Sequence, residues 1–221
     1  YRYYDKKQIR PLFPFGYGLS YTEFAYSDLK LDRTEMKDTD QLTVTLTVKN
    51  VGARAGKEVV QLYVSPKQSR LMRPDKELKG FAKVALEPGE AKTVTFTLSA
   101  RDFAYYDPSY KTWVVETGEY EILAAKSAAD VVLRTTVKVE STQQLRKPLT
   151  KDSSLKEWFT DAKGLAVLKS VIPERMLQPF MQPDSAIADM FLAIPLRKLV
   201  NFSGGMLTDE ILDQIVAKAN E

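Results

Sequence analysis

The stretch "QLTVTLTVKN", Gln41 to Asn50, decides the fold of this sequence. Apolar and polar side chains alternate along it. One face carries Leu42, Val44, Leu46 and Val48, and the other carries Thr43, Thr45, Thr47 and Lys49. A period of two residues is that of a β-strand with one buried and one solvated face. The stretch therefore predicts a half-buried antiparallel strand.

Similar stretches follow as far as residue 140, separated by turn signals. They read "EVVQLYVS", "ELKGFAKVAL", "KTVTFTLS", "EYEILAAKS" and "DVVLRTTVKVE". About seven short strands with such spacing predict an antiparallel β-sandwich, with a barrel as the main alternative. The threonine-rich faces favour the sandwich, since open sheets wet one side. "GARAGKE", Gly52–Glu58, lacks the spacing of a phosphate loop and is predicted to be a hairpin connection.

The pattern changes to a helical period from about Leu145 onward. Short amphipathic stretches, "SSLKEWF", "GLAVLKSVI", "PDSAIADMFLAI" and "TDEILDQIVAKANE", predict a small bundle of short helices. Thr208 is the expected N-cap of the last one. Flexible methionines suit adaptable contacts, so we expect this tail to pack on a parent enzyme or to form a homodimer. These methionines are Met176, Met181, Met190 and Met206.

Composition excludes several chemistries from the chain. It contains neither cysteine nor histidine, which removes thiol nucleophiles, Ser-His-Asp catalysis and most zinc sites. We therefore expect no metal site and no cofactor. The basic residues are spread out, at a net charge of +3, so no nucleic-acid partner is expected. The apolar runs are too short for a membrane span, and no membrane association is expected.

Several long blocks carry a resemblance. "YRYYD", "PLFPFGYGLSYTEF", "VKNVGARAGKEVVQLYV", "RPDKELKGFAKVALEPGE" and "VVETGEYEILAAKSAAD" occur in this order. Together they resemble the C-terminal fibronectin type III-like (immunoglobulin-like) region of glycoside hydrolase family 3 β-glucosidases. The tail, with "PLRKLVNFSGGMLTDEILDQIV", looks like a helical extension on many bacterial members.

The resemblance implies a parent enzyme that hydrolyses terminal β-D-glucosyl residues with retention, using an Asp and a Glu in two upstream domains. No position here matches either catalytic motif, so the chain alone is expected to be inactive, with those upstream domains and a β-glucoside or oligosaccharide as its partners. The alternative is an autonomous carbohydrate-binding or protein-interaction module. The sequence begins without Met and without a signal-peptide pattern, which indicates a fragment; the absence of cysteine favours a bacterial cytoplasm.

The resemblance also divides the chain. Residues 1–27 are expected to be the end of a preceding domain and an aromatic linker, and residues 28–140 the sandwich. Residues 141–152 form a second linker, and residues 153–221 the helical extension.

Acidic pairs and aromatic residues are the other site candidates. A retaining glycosidase needs two carboxyl groups about 5–5.5 Å apart. The pairs Asp102 with Asp107 and Glu116 with Glu119 lie beside turns, where solvated or capping roles are expected. The cluster "FAYYDPSYKTW" could stack on sugar rings, but is expected to be core or interface. Its aromatic members are Phe103, Tyr105, Tyr106, Tyr110 and Trp113.

Two segments are candidates for contact with the parent enzyme. The long basic loop at residues 65–80 could lean on the catalytic domains and rim the substrate site through Arg70, Arg73 and Lys76. A solvated loop is the alternative. In "PLFPFGYGLSYTEF", prolines and glycines prevent a helix, so its aromatic rings are expected to pin an interdomain joint. Residues 11–24 are therefore predicted to be largely buried, with packing candidates Phe13, Phe15, Tyr17, Tyr21 and Phe24.

Overall fold

The computed structural model describes residues 1–177 and 191–221 and divides the chain into two compact units, Tyr1–Gln144 and Leu145–Glu221. In the first unit a short helix α1 (Arg2–Lys6) precedes the strands. The strands are β1 (Phe24–Leu31), β2 (Glu35–Lys37), β3 (Leu42–Asn50), β4 (Gly56–Pro66), β5 (Glu77–Leu86), β6 (Ala91–Leu98), β7 (Tyr105–Asp107), β8 (Thr112–Val114), β9 (Gly118–Ser127) and β10 (Asp130–Glu140). A one-turn helix α2 (Ala100–Phe103) lies between β6 and β7.

The strands form two facing sheets and a small hairpin. One sheet has the order β1-β3-β6, the other β2-β10-β9-β4-β5, and β7 pairs with β8. The predicted sandwich is thus confirmed, although β2 joins β10 in parallel at the edge. The segment Gly52–Glu58 is not a hairpin connection, because it leads from β3 in one sheet to β4 in the other.

The core lies between the two sheets. The predicted alternation of β3 is observed, since Leu42, Val44, Leu46 and Val48 are all at most 1% exposed. Residues on β4, β9 and β10 meet them from the opposite sheet, among them Leu62, Ile122 and Val137. Periodic burial of this kind removes apolar surface from water and fixes the register of each strand.

The second unit has its own hydrophobic core. Its described helices are α3 (Leu155–Thr160), α4 (Ala162–Val171), α5 (Glu174–Leu177), a 3₁₀ turn (Leu196–Lys198), α6 (Leu199–Phe202) and α7 (Asp209–Asn220). Trp158 and Leu168 are fully buried there, together with Leu212 and Ile215. Thr208 caps α7 as predicted, accepting the N–H of Ile211.

Some predictions for the tail lie outside the described residues. These concern Met181, Ile187 and Met190.

Candidate interdomain interface

The helix α1 is attached to the sandwich through the ring of Tyr1. The Tyr1 hydroxyl accepts a hydrogen bond from the N–H of Leu78 at 2.8 Å. Its ring packs edge-on against Tyr63 and beside Phe15, with centroids 5.6 and 5.2 Å away. Tyr63 itself is fully buried beneath them. The first residue is therefore an integral part of the outer face of the larger sheet.

Ion pairs join α1 to the end of the loop at residues 65–80. Lys76 Nζ donates to Asp5 at 2.5 Å, and both side chains are largely shielded from solvent. Lys6 Nζ donates to Asp75 at 3.0 Å in a more exposed pair. The acid comes first in α1 and the base comes first in the facing loop read backwards, so each charge of α1 meets its opposite. Together the two pairs fix the position of α1 on the loop more firmly than either pair alone would.

Glu77 links the same helix to the interior of the loop. Its carboxylate lies 3.6 Å from Arg2, 3.4 Å from Arg73 and 3.1 Å from Lys79. Burial alone would raise the pKa of Glu77, but Lys79, Arg73 and Arg2 outweigh burial and lower it. Glu77 is therefore held as a carboxylate beneath three cations.

The linker after α1 is fixed to the sheet by its backbone. The N–H of Ala128 donates to the carbonyl of Phe15 at 2.8 Å. The Gln61 amide donates to the carbonyl of Gly16 at 3.4 Å and to that of Lys126 at 2.9 Å. Gly16 has φ +78°, a conformation that glycine adopts without strain and that turns its carbonyl toward the sheet.

Most aromatic side chains of this linker are exposed, although its backbone is hydrogen-bonded to the sheet. Exposure is 68% for Phe13, 50% for both Phe15 and Tyr17, and 92% for Tyr21, whereas Phe24 is buried at 6%. The prediction that residues 11–24 are largely buried is therefore wrong within this chain. The physical reason is that the sandwich core is already filled by its own strands, so the linker lies on the outside of a sheet, where no described residue buries these rings. That these rings pack against another domain remains a prediction.

The loop at residues 65–80 is held by Arg70 at its centre. The Arg70 guanidinium forms an ion pair with Asp107, which is fully buried. The backbone N–H of Arg70 donates a hydrogen bond to the Glu116 carboxylate at 2.9 Å. The same carboxylate accepts a hydrogen bond from the hydroxyl of Tyr105 at 3.0 Å. The loop is thereby tied to the β7–β8 hairpin and the turn before β9.

The three rim candidates differ in accessibility. Arg73 is only 6% exposed, with its guanidinium 5.1 Å from the centroid of the Tyr105 ring. The Lys76 side chain is 14% exposed and that of Arg70 is 50% exposed. Arg73 and Lys76 thus make their contacts within this chain, and Arg70 presents the most surface. A substrate-rim role for the three stays a prediction.

The acidic candidates have local structural partners. Asp102 closes a capping box at α2 by accepting the N–H and hydroxyl of Ser99. Asp107 accepts the N–H of Ser109 at 2.8 Å in a turn, as expected for a capping role, but its burial was not expected from the sequence. Glu119 is exposed.

The aromatic cluster is divided between core and surface. Phe103 is fully buried and Tyr105 is 8% exposed, whereas Tyr106 is 50% and Trp113 42% exposed. The last two therefore do not lie in the core but on the outside of the β7–β8 hairpin, and their expected place at a domain interface stays a prediction. Their planes stand at 68° to each other, and Arg101 lies over the Trp113 ring. The pair does not form the coplanar platform that would suit stacking on a sugar chain.

Asn50 is the main structural residue that sequence reasoning missed. It is fully buried, and its side-chain oxygen accepts hydrogen bonds from the Thr22 hydroxyl at 2.7 Å and from the N–H of Gly52 at 3.1 Å. Its amide donates to the carbonyls of Arg54 and Leu86 at 2.7 and 3.0 Å. A polar residue at an inward position of an otherwise apolar alternation is the signal that could have revealed it.

Among residues 1–177 and 191–221, no helix is long and apolar enough to cross a membrane. The same residues contain no group of three or more acidic side chains placed to hold a metal ion.

Comparison with known proteins relates this geometry to a family. Residues 58–128 match the model of the fibronectin type III-like domain. The chain is 49% identical over its whole length to thermostable β-glucosidase B of Acetivibrio thermocellus, and it covers 30% of that protein. It is 38% identical over 92% of its length to the exo-α-(1→6)-L-arabinopyranosidase of Bifidobacterium breve, covering 27% of that enzyme.

Among solved structures, the β-glucosidase of Kluyveromyces marxianus in complex with glucose matches with a TM-score of 0.59 and 45% identity. The match covers 63% of this chain and 16% of that one. The chain therefore spans less than a third of the relatives that it matches. It comprises a fibronectin type III-like domain and a helical tail, and it is similar to the C-terminal portion of glycoside hydrolase family 3 β-glucosidases.

Proposed function

We propose that this chain is the non-catalytic, C-terminal accessory portion of a retaining β-glucosidase that removes terminal β-D-glucosyl residues. The catalytic domains precede residue 1, and the chain supports them mechanically. The observation that carries the proposal is the N-terminal segment. Its backbone is fixed to the sheet, while Phe13, Tyr17 and Tyr21 are left exposed.

Exposed rings on a fixed backbone are typical of an interface whose other half is absent. Large contiguous apolar surface is costly in water, and soluble monomers rarely keep it uncovered. Leu12 and Leu19, at 88% and 89% exposed, extend the same surface. The proposed partner is the domain to which α1 belongs by resemblance.

The structural contacts of the candidate pair Asp102 and Asp107 support a non-catalytic role. Asp102 and Asp107 serve a helix cap and a buried ion pair. The relatives with a matching tail also include an enzyme named for an arabinopyranoside. We therefore place the choice of sugar in the preceding domains.

Truncation of the parent enzyme tests this proposal. Removing residues 1–221 should abolish or strongly reduce aryl-β-glucosidase activity through loss of folded enzyme, seen as aggregation or a lowered Tm. A truncated enzyme with full activity and unchanged Tm would contradict the supporting role.

Alanine variants of Arg70 and Arg73 in the full enzyme test the proposed role of these residues at the rim of the substrate site. Unchanged kinetics and stability in both would refute it.

The second candidate function is an autonomous carbohydrate-binding module, supported by the exposure of Tyr106 and Trp113 but opposed by the 68° angle between their rings. It predicts measurable binding of cello-oligosaccharides by the isolated chain and its loss in Trp113→Ala. Our proposal predicts no binding in a calorimetric titration.

A further inference from the structure

The N-terminal segment covers only part of the outer face of the larger sheet. Alternate residues of β4 and β5 point away from the core, and Tyr63 at one end of this face is buried under Tyr1 and Phe15. At the other end Val59 is 37% and Phe81 is 71% exposed. Cross-strand pairing brings this end together, since Val59 lies opposite Lys83 and Phe81 lies opposite Gln61.

A groove of about 830 Å³ lies between the linker and the part of this end that carries Val59, and Phe81 lies outside its lining. Leu12 and Leu19 of the linker form one side, and Val59 forms part of the other. The linker residues are held by the contacts of Phe15 and Gly16 with the sheet. The groove is therefore bounded by two elements that the protein holds in place.

The sheet side of the groove carries three lysines, Lys126 on β9 among them, against the two carboxylates of Glu58 and Asp130. Lys57 and Lys83 lie on the outward positions of β4 and β5, and Arg10 contributes from the linker. Within the described part of the chain none of Lys57, Lys83 and Arg10 forms an ion pair. Three carboxylates also line the groove. They are Glu23 in the linker, Asp130 at the start of β10 and Glu58 on β4, which accepts a hydrogen bond from the hydroxyl of Tyr26 at 2.8 Å.

We propose that this open face, Val59 and Phe81 flanked by Lys57 and Lys83, binds an acidic segment of the domain that precedes residue 1. An apolar side chain of that segment covers Phe81 and Val59, and its carboxylates pair with the lysines. The inference rests on the proposed function, because it takes the preceding domain as the partner.

Continuity with the α1 contacts supports this choice of partner. The pairs Lys76–Asp5 and Arg2–Glu77 already fix the end of the preceding segment against β5 and the loop before it. Phe81 lies on that same strand. A domain that leads into α1 is thus held next to the strand that carries the open face.

A second copy of this chain fits the face less well. In a two-fold symmetric pair each surface meets itself, so Lys57 and Lys83 would face their own counterparts. Like charges brought together at an interface oppose association. An acidic partner removes that repulsion and supplies the missing counter-charges.

Cysteine labelling tests the proposal, since the chain has no cysteine of its own. Phe81→Cys is made in the chain and in the full-length enzyme, and maleimide reaction at that peptide is followed by mass spectrometry. Thr95→Cys, exposed on the other sheet, is the matched control. We expect position 81 to react about tenfold more slowly in the full-length enzyme, because a covered thiol is less accessible. Position 95 should react equally in both. Equal rates at position 81 would overturn the proposal.

Charge reversal tests the partner's chemistry. Lys57→Glu with Lys83→Glu should restore fast labelling at position 81 in the full-length enzyme, while Lys49→Glu, on the other sheet, should not. Retained protection would refute an acidic partner. Protection that appears in the isolated chain as its concentration rises would overturn the proposal in favour of self-association.

Aryl-β-glucosidase activity of the same full-length sample separates the two proposals. Activity without protection refutes only the docking face, and protection without activity refutes only the β-glucosidase assignment.

Discussion

The strongest stability prediction concerns Asn50, whose side chain joins the linker, the β3–β4 connection and β5. Asn50→Ala removes four hydrogen bonds, to Thr22, Gly52, Arg54 and Leu86. At a net value of about 1 kcal/mol per bond, the full loss is about 4 kcal/mol. The groups on Gly52 and Arg54 lie near the surface and can bind water instead, whereas the Leu86 carbonyl is left buried. We therefore expect the first unit to lose about 3 kcal/mol.

Differential scanning calorimetry measures this loss. For a unit of this size about 3 kcal/mol corresponds to a fall in Tm of about 6–12 °C. Thr22→Val is the matched control, because it removes only the hydrogen bond from the Thr22 hydroxyl and should cost about 1 kcal/mol. An Asn50→Ala shift no larger than that of Thr22→Val would refute the reasoning that Asn50 organises three segments.

Three further predictions concern the second unit. Trp158→Ala should cost about 3–5 kcal/mol and abolish the unfolding transition of residues 145–221 while leaving that of the sandwich in place; loss of both transitions would contradict two separate cores. The hydrogen bond from Lys147 and that from the backbone N–H of Ser154 lower the pKa of Glu157 from its ordinary value of 4.5. Its stabilising contribution is therefore full above that value and lost as pH falls through the lowered one, so Glu157→Gln should flatten the acid limb of a circular-dichroism pH titration. Size-exclusion chromatography with and without residues 145–221 tests the proposed homodimer, and identical oligomeric states would count against it.

The part of the fold that could be predicted is the part set by local periodicity. The alternation from Leu42 to Val48 predicts both the strand and its buried face, and Thr208 predicts the start of α7. The segment Gly52–Glu58 shows the limit of such reasoning. A turn signal reports the local backbone, but it does not say whether the next strand pairs with the last or joins the facing sheet.

The candidate site depended on partners far away in the sequence. Asp107 is buried because Arg70, in another loop, supplies its counter-charge. Phe13 and Tyr21 are exposed because burial of a ring depends on what lies over it, and nothing in the described residues covers them. Tryptophan is a residue type that is often buried, but Trp113 lies on an outward position of a short hairpin. Such outcomes follow from tertiary contacts, which a single sequence does not contain.

The most direct test of the central claim is an aryl-β-glucoside assay on this chain alone and on the full-length enzyme under identical conditions. Our account predicts no hydrolysis above background by the chain and turnover by the full-length enzyme with retention of configuration. Hydrolysis by the chain alone would contradict the conclusion that it is a non-catalytic accessory portion.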